Sequence, residues 1–234
     1  MDQAVQTIFG GLMVGGVFAI VALGFSLVYR VTGIINLAQG VFCVLGALGT
    51  YTLQVTFKWP LPLAILVAVL TTTAYSVFLG AAVFVPALSR LSQSSVLMLT
   101  AGIMTMTNGL ILIFWGGDPY SLPPFTQEAP ITVGGVRVTT QAFWIVGVTL
   151  IIMVSFWYLF TRTTLGKVLT ACFENPVAAR LMGIKFRFMI LISFGLAGMT
   201  GALGGIVVAP ITSLQFDSGF FLRSPAFWPS WWVG

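Results

Sequence analysis

Six long apolar runs, at residues 5–29, 37–57, 61–88, 96–115, 138–160 and 188–209, constrain this chain more than any other feature. Each reaches or exceeds the ~20 residues an α-helix needs to cross a ~30 Å hydrocarbon core. The runs lack the two-residue alternation of a barrel wall, and open strands in lipid cannot satisfy their backbone polar groups. Charged residues make up 6% of the 234, against about 25% in soluble domains. The expected fold is an all-α integral membrane protein with about six transmembrane helices. The N-terminus, MDQAVQ, carries no basic residue, and the apolar run after it is too long for the core of a cleavable signal. That run reads as the first span.

The cations give an orientation. Alternating loops put Arg30, Arg90, Arg162, Lys167, Arg180, Lys185 and Arg187 on one side, and Lys58 and Arg137, with Arg223 as a third, on the other. Basic loops stay cytoplasmic, so the N-terminus is expected outside and the loop 161–187 in the cytoplasm. The net charge of +5 reflects this bias rather than a nucleic-acid partner. The loop 116–137, rich in Pro and Gly, then falls outside as an ordered turn.

The loop 161–187 is a polar, basic island in an apolar chain. Within it, residues 174–183 (ENPVAARLMG) read as a short helix that begins at Pro176 and stops at Gly183. A small amphipathic helix between spans either lies on the lipid surface or touches a partner outside the membrane. Small residues recur at spacing four in two spans. Gly11 and Gly15 mark the first, and Ala197, Gly201, Gly205 and Ala209 the sixth. Such ridges let helix backbones approach closely, and helix packing is the expected role. Asn36 and Gln39 open the second apolar run, where an unpaired amide is costly. Thr32-Gly33 suggests a helix break, after which Asn36 either caps the next helix or, with Gln39, lines a polar pathway. Asn108, inside the fourth run, carries the same alternatives.

Enzyme chemistry has nothing to stand on. There is no His, which removes the commonest metal ligand and neutral-pH base. Cys43 and Cys172 have no metal or disulfide spacing. No carboxylate falls inside a span, which counts against a proton-coupled carrier, and no phosphate loop of the G-x-x-x-x-G-K-[ST] kind occurs. Any nucleotide hydrolysis must come from another chain. No catalytic, metal or cofactor site is expected here.

Four stretches together resemble the permease subunits of ABC importers, specifically the branched-chain amino-acid type. They are GLMVGGVFAIVALGFS with GIINLAQGVFCVLG (11–26 and 33–46), LTAGIMTMTNGLILIFWGGDP (99–119), TLGKVLTACFENPVAARLMGI (164–184) and FGLAGMTGALGGIVVAP (194–210). The resemblance implies a multi-pass protein of the bacterial inner membrane, working with a homologous second permease subunit, a cytoplasmic ABC ATPase that uses the ATP, and an extracytoplasmic substrate-binding protein. It implies that Glu174, Asn175, Pro176, Ala178, Ala179, Arg180 and Gly183 form the helix that couples to the ATPase, with a loose fit to the family's E-A-A-x-x-x-G pattern. Substrates in the family extend from branched-chain amino acids to urea and short amides. The alternatives are a passive channel for a small neutral solute, or an inactive, truncated permease. The resemblance also divides the chain into a permease transmembrane domain at 1–222, incomplete at its end, and an atypical tail at 223–234 (RSPAFWPSWWVG).

Overall fold

A computed structural model describes residues 2–126, 131–133, 136–138 and 140–215. The expected tail at 223–234 and Glu128 lie outside the described residues, as does the site of any frame change after Leu222. All six apolar runs are helical. The elements are α1 (Asp2–Thr32), α2 (Gln39–Tyr51), α3 (Leu61–Leu79), α4 (Val85–Arg90), α5 (Gln93–Trp115), α6 (Thr140–Arg162), α7 (Thr164–Glu174), α8 (Pro176–Leu181) and α9 (Phe186–Val208). One short antiparallel hairpin, β1 (Ile131–Val133) with β2 (Val136–Val138), interrupts the loop before α6.

Five helical segments are long and apolar enough to cross a membrane: 10–32, 61–90, 93–115, 140–162 and 186–208. The second run differs. Its α-helix has 13 residues and continues into a π-helical turn at Thr52–Thr56. Most of its residues are buried by neighbouring helices, so α2 is an interior element that meets little lipid. A second π turn, Gly80–Phe84, joins α3 to α4 and absorbs Pro86 at the start of α4, since a proline inside a regular helix would leave a carbonyl unpaired.

Burial ranks the helices. The window of α9 is 67% buried, while those of the other four candidate spans are 22–33% buried. Helix α9 packs against α1, α2 and α3 and is the centre of the bundle. Phe42, Phe194, Ile190 and Leu79 fill the main core around it. Large apolar side chains on the outer helices, such as Met98, Ile113, Phe114 and Ile151, are mostly exposed. In water such a surface would be prohibitive. In lipid it is the expected exterior.

Three side chains from three helices lock α9 in place through its own carbonyls. Ser76 of α3 donates to the Phe194 carbonyl at 2.6 Å, Gln39 of α2 to Ala197 at 3.0 Å, and Gln141 of α6 to Val207 at 2.9 Å. A helical carbonyl has a second lone pair, so each accepts the extra bond without breaking the helix. Such interhelical bonds hold helices together where apolar surface gives no preference for protein over lipid.

Cationic residues stand at the ends of α1, α4, α8 and α9. Arg30 at the end of α1 lies 5.4 Å from the Phe160 ring near the end of α6. Arg90, Arg180, Lys185 and Arg187 line one cavity. At the opposite end, Tyr51 meets Tyr120 with ring centroids 4.9 Å apart, and Tyr120 bridges to Leu214.

Candidate functional site

The basic loop is two helices, where the sequence suggested one. Thr163 caps α7, its hydroxyl oxygen accepting from the Gly166 amide at 3.1 Å. On α7, Leu169 and Cys172 are buried in the main core, so this helix is docked on the bundle. The chain then turns at Asn175, whose side-chain oxygen accepts from the Ala178 amide at 3.0 Å and caps α8. Pro176 follows as the first helical residue, with its φ already set for a helix. The far end closes at Gly183, whose φ of +81° is left-handed and favours glycine. The Ile184 amide reaches back to the Ala179 carbonyl at 3.1 Å, which completes a Schellman-type stop. Six helical residues would not hold together alone. Capped at both ends, they do.

The amphipathic face of α8 is inverted relative to a soluble helix. Ala179 is buried against the core, whereas Val177, Leu181 and Met182 are 67%, 84% and 83% exposed. Arg180 stacks on the Phe186 ring at 4.6 Å, which ties α8 to the first turn of α9. Glu174 ends α7, and so precedes the α8 cap instead of sitting in the α8 first turn. Lys185, expected just past the end of α8, is the N-cap residue of α9.

The two cysteines are inert in different places. Cys172 is fully buried on α7, and burial pushes its thiol above the ordinary value, with Arg180 pulling partly the other way. Cys43 is buried on α2. Maleimide should label neither thiol in the folded protein. Raising the pH past ~8.5, where an exposed cysteine becomes a thiolate, should leave Cys172 labelling slow until the protein is denatured. Mass spectrometry of the labelled chain reads this directly, and rapid native labelling of Cys172 would contradict its placement.

The three amides proposed for a pathway are not brought together. After the break at Thr32 and Gly33 (φ +70°), Asn36 is buried and its side-chain oxygen accepts from the Ala38 amide at 3.2 Å. Asn36 therefore shapes the turn before α2 without capping it, because the cap position belongs to Ala38. Gln39 is fully buried, faces the notch left by Gly24 on α1, and bonds to Ala197. Its other amide atom, Oε1, has no partner, like the Nδ2 of Asn36 and the Oδ1 of Asn108. Gln39 fastens three helices. Gln39→Ala should lower stability by about 2–3 kcal/mol, one hydrogen bond plus a cavity, whereas Gln39→Leu should cost less than about 1 kcal/mol because it also removes the orphaned oxygen. Unfolding midpoints in detergent compare them, and equal effects would refute the fastening role.

An open cleft of about 280 Å³ lies where α2, α3 and α5 meet. Thr71, Thr72, Tyr75 and Thr107 give it hydroxyls, and Leu110 and Phe114 give it apolar wall. The Tyr75 hydroxyl and the Thr107 hydroxyl are 2.8 Å apart. Asn108, next to Thr107 in sequence, is half-buried and is not among the lining residues. Hydroxyls spaced three or four apart within ordinary apolar spans left no signal that could single them out. Gln141 was missed for the same reason.

The predicted packing glycines divide. A Cβ on Gly201 would stand 2.8 Å from the Phe42 Cβ, and Gly205 lies directly over the Cys43 backbone, with Ala197 buried beside them. Gly11 and Gly15 have nothing within 4 Å of where a side chain would begin, so the expected packing role is not realised there within this chain. Gly16, one position on, faces α6, where a Cβ would stand 2.9 Å from the Thr149 hydroxyl oxygen.

The structure is a multi-pass helical bundle with a capped, apolar-faced helix between its last two described spans. The chain belongs to the family of branched-chain amino acid transport system permease components, whose model matches residues 7–228. Over 220 residues it is 26% identical to the ribose import permease protein RbsC of Escherichia coli (strain K12), covering 92% of this chain and 65% of that protein. It is 22% identical over 223 residues to the high-affinity branched-chain amino acid permease protein BraD of Pseudomonas aeruginosa, covering 90% and 71%. To the corresponding protein LivH of Salmonella typhimurium it is 22% identical over 216 residues, covering 87% and 70%. The chain thus spans about 65% of the length of the ribose permease it matches. No solved structure matches. These relatives are transport subunits rather than enzymes, and the family and the apolar helices make this a multi-pass inner-membrane protein.

Proposed function

We propose that this chain is a permease subunit of an ATP-driven importer for branched-chain amino acids, and that α8 is the contact through which a separate ATPase moves the bundle. The observation that carries the reading is the exposure of Val177, Leu181 and Met182 on a helix rigidly capped at Asn175 and Gly183. A docked partner would bury that face. Its motion would pass across four residues, Met182 to Lys185, into α9, the helix that packs against α1, α2 and α3. The basic loop lies in the cytoplasm on the charge argument, which puts α8 on the side where ATP is available. Energy enters through α8, and α9 distributes it.

The cleft lined by Thr71, Thr72, Tyr75 and Thr107 is the surface this reading assigns to solute passage. Its mix of apolar wall and neutral hydroxyls suits a solute with an aliphatic body and polar ends. A sugar is the second substrate class, favoured by the similarity to a ribose permease. An extracytoplasmic binding protein would choose between them, and a homologous permease subunit would supply the facing half of the path.

The test is purification of the full chain from its native membrane under mild detergent. The importer reading expects ATP hydrolysis to co-purify, with solute uptake lost in vesicles depleted of nucleotide. Uptake that persists without nucleotide, together with no retained ATPase, would establish a passive channel instead.

A further inference from the structure

A second surface of the basic end has no role in the importer reading. A cavity of about 860 Å³ opens between α4 and the start of α9. Arg90, Arg180, Lys185 and Arg187 line it, and no acidic residue does. With no acidic residue among the lining, the fields of the four cations add and favour an anion in the groove. The helix end adds to the field. Helix α9 begins after Lys185 with no side-chain cap, as do α2, α3 and α4 after their own N-cap residues. Its first amides and its positive dipole end sit beside the same cations.

The remaining walls say which anion. Leu88, Phe188 and Leu191 line the same cavity with accessible apolar surface and belong to the membrane-crossing segments 61–90 and 186–208. The cavity therefore lies where two spans leave the hydrocarbon, with charge at one edge and aliphatic wall at the other. A soluble phosphate would leave that wall uncovered. A phospholipid covers it with the first methylenes of an acyl chain and places its phosphate among the cations. The stack of Arg180 on Phe186 holds one of those cations at the cavity edge. Val177, Leu181 and Met182 are not part of this lining, so a lipid here and a protein on α8 would occupy separate surfaces.

We propose that the groove formed by Arg90, Arg180, Lys185 and Arg187 binds the headgroup of an anionic phospholipid from the adjoining leaflet, with the acyl chain along Leu88, Phe188 and Leu191. The site rests on the membrane placement alone and holds whether or not the chain works with an ATPase. Occupancy by lipid places a negative charge among the cations and fixes α4 to the entry of α9, beside the linker from α8.

Native mass spectrometry of the full chain, with phosphatidylglycerol or phosphatidylcholine added to the detergent, tests the site. Wild-type protein should retain phosphatidylglycerol about tenfold better, and Arg90→Gln with Arg187→Gln should lower that retention about tenfold. Arg90→Lys with Arg187→Lys should keep most of it. Arg162→Gln with Lys167→Gln removes the same charge from the same end but outside the groove, and should change retention less than about twofold. Equal loss from the two glutamine pairs would show general surface attraction and overturn the site. Equal retention of phosphatidylcholine would do the same. Displacement of the lipid by an equal concentration of glycerol phosphate would identify a free-anion site and refute the lipid. Arg90 and Arg187 are both exposed, so an unchanged melting midpoint is expected. If the glutamine pair does unfold, Arg187→Gln alone should give a loss of about threefold, and no loss there would reject the proposal.

Discussion

Gly205→Leu should abolish the folded protein. Gly205 lies against the backbone of α2, and a Cβ there would overlap the Cys43 carbonyl and approach its Cα at 2.7 Å. A flexible side chain could swing away from such a clash, but a backbone carbonyl inside a helix cannot. The facing helix is equally constrained, because a Cβ on Gly46 would stand 2.7 Å from the Ala202 Cβ. Separating α2 from α9 would also strain the bond from Gln39 to Ala197 and open the core around Phe42. Overpacking by a methylene or two commonly costs about 1–3 kcal/mol, and four added carbons against immovable backbone exceed that. With native stabilities of about 5–15 kcal/mol, most of the margin goes. The expected result is aggregated material on gel filtration in detergent. Gly11→Leu is the matched comparison, since nothing lies within 4 Å of that position, and it should elute and melt like the parent. A well-folded Gly205→Leu protein would mean that α9 does not sit on α2 as described.

Leu181→Asp combined with Met182→Asp should remove the co-purifying ATPase while leaving the bundle intact. Both side chains are more than 80% exposed, so their loss costs the isolated chain little. At an interface the same two residues would be desolvated anchors. Truncating an anchor costs 2 kcal/mol or more, and burying a new carboxylate adds to that. Roughly a hundredfold or greater loss of ATPase retention is expected, with an unchanged melting midpoint. Unchanged retention would show that α8 is not the docking element, whatever the rest of the chain does.

Much of this molecule was legible without coordinates. The six apolar runs became helices. The short helix in the basic loop starts at Pro176 and stops near Gly183. These features are local, since they depend on hydrophobic length, a fixed φ at proline and a permitted left-handed φ at glycine. Even the π turn around Pro86 follows from a rule about one residue.

What the sequence could not supply was which surfaces meet. Gly11 with Gly15 and Gly201 with Gly205 carry the same spacing, yet only the second pair touches another helix. Spacing places small residues on one face of a helix, and the partner comes from elsewhere in the chain. The same holds for Gln39, whose amide serves a carbonyl 158 residues away, and for Arg90 and Lys185, which share a cavity across most of the fold. The sequence by itself determined a membrane-embedded helical permease with a capped helix on its basic side. Only the tertiary structure decided that α9 is the centre, that the buried amides fasten helices together, and that Arg90 joins Arg180, Lys185 and Arg187 around one groove, because each depends on close approach between segments far apart in the chain.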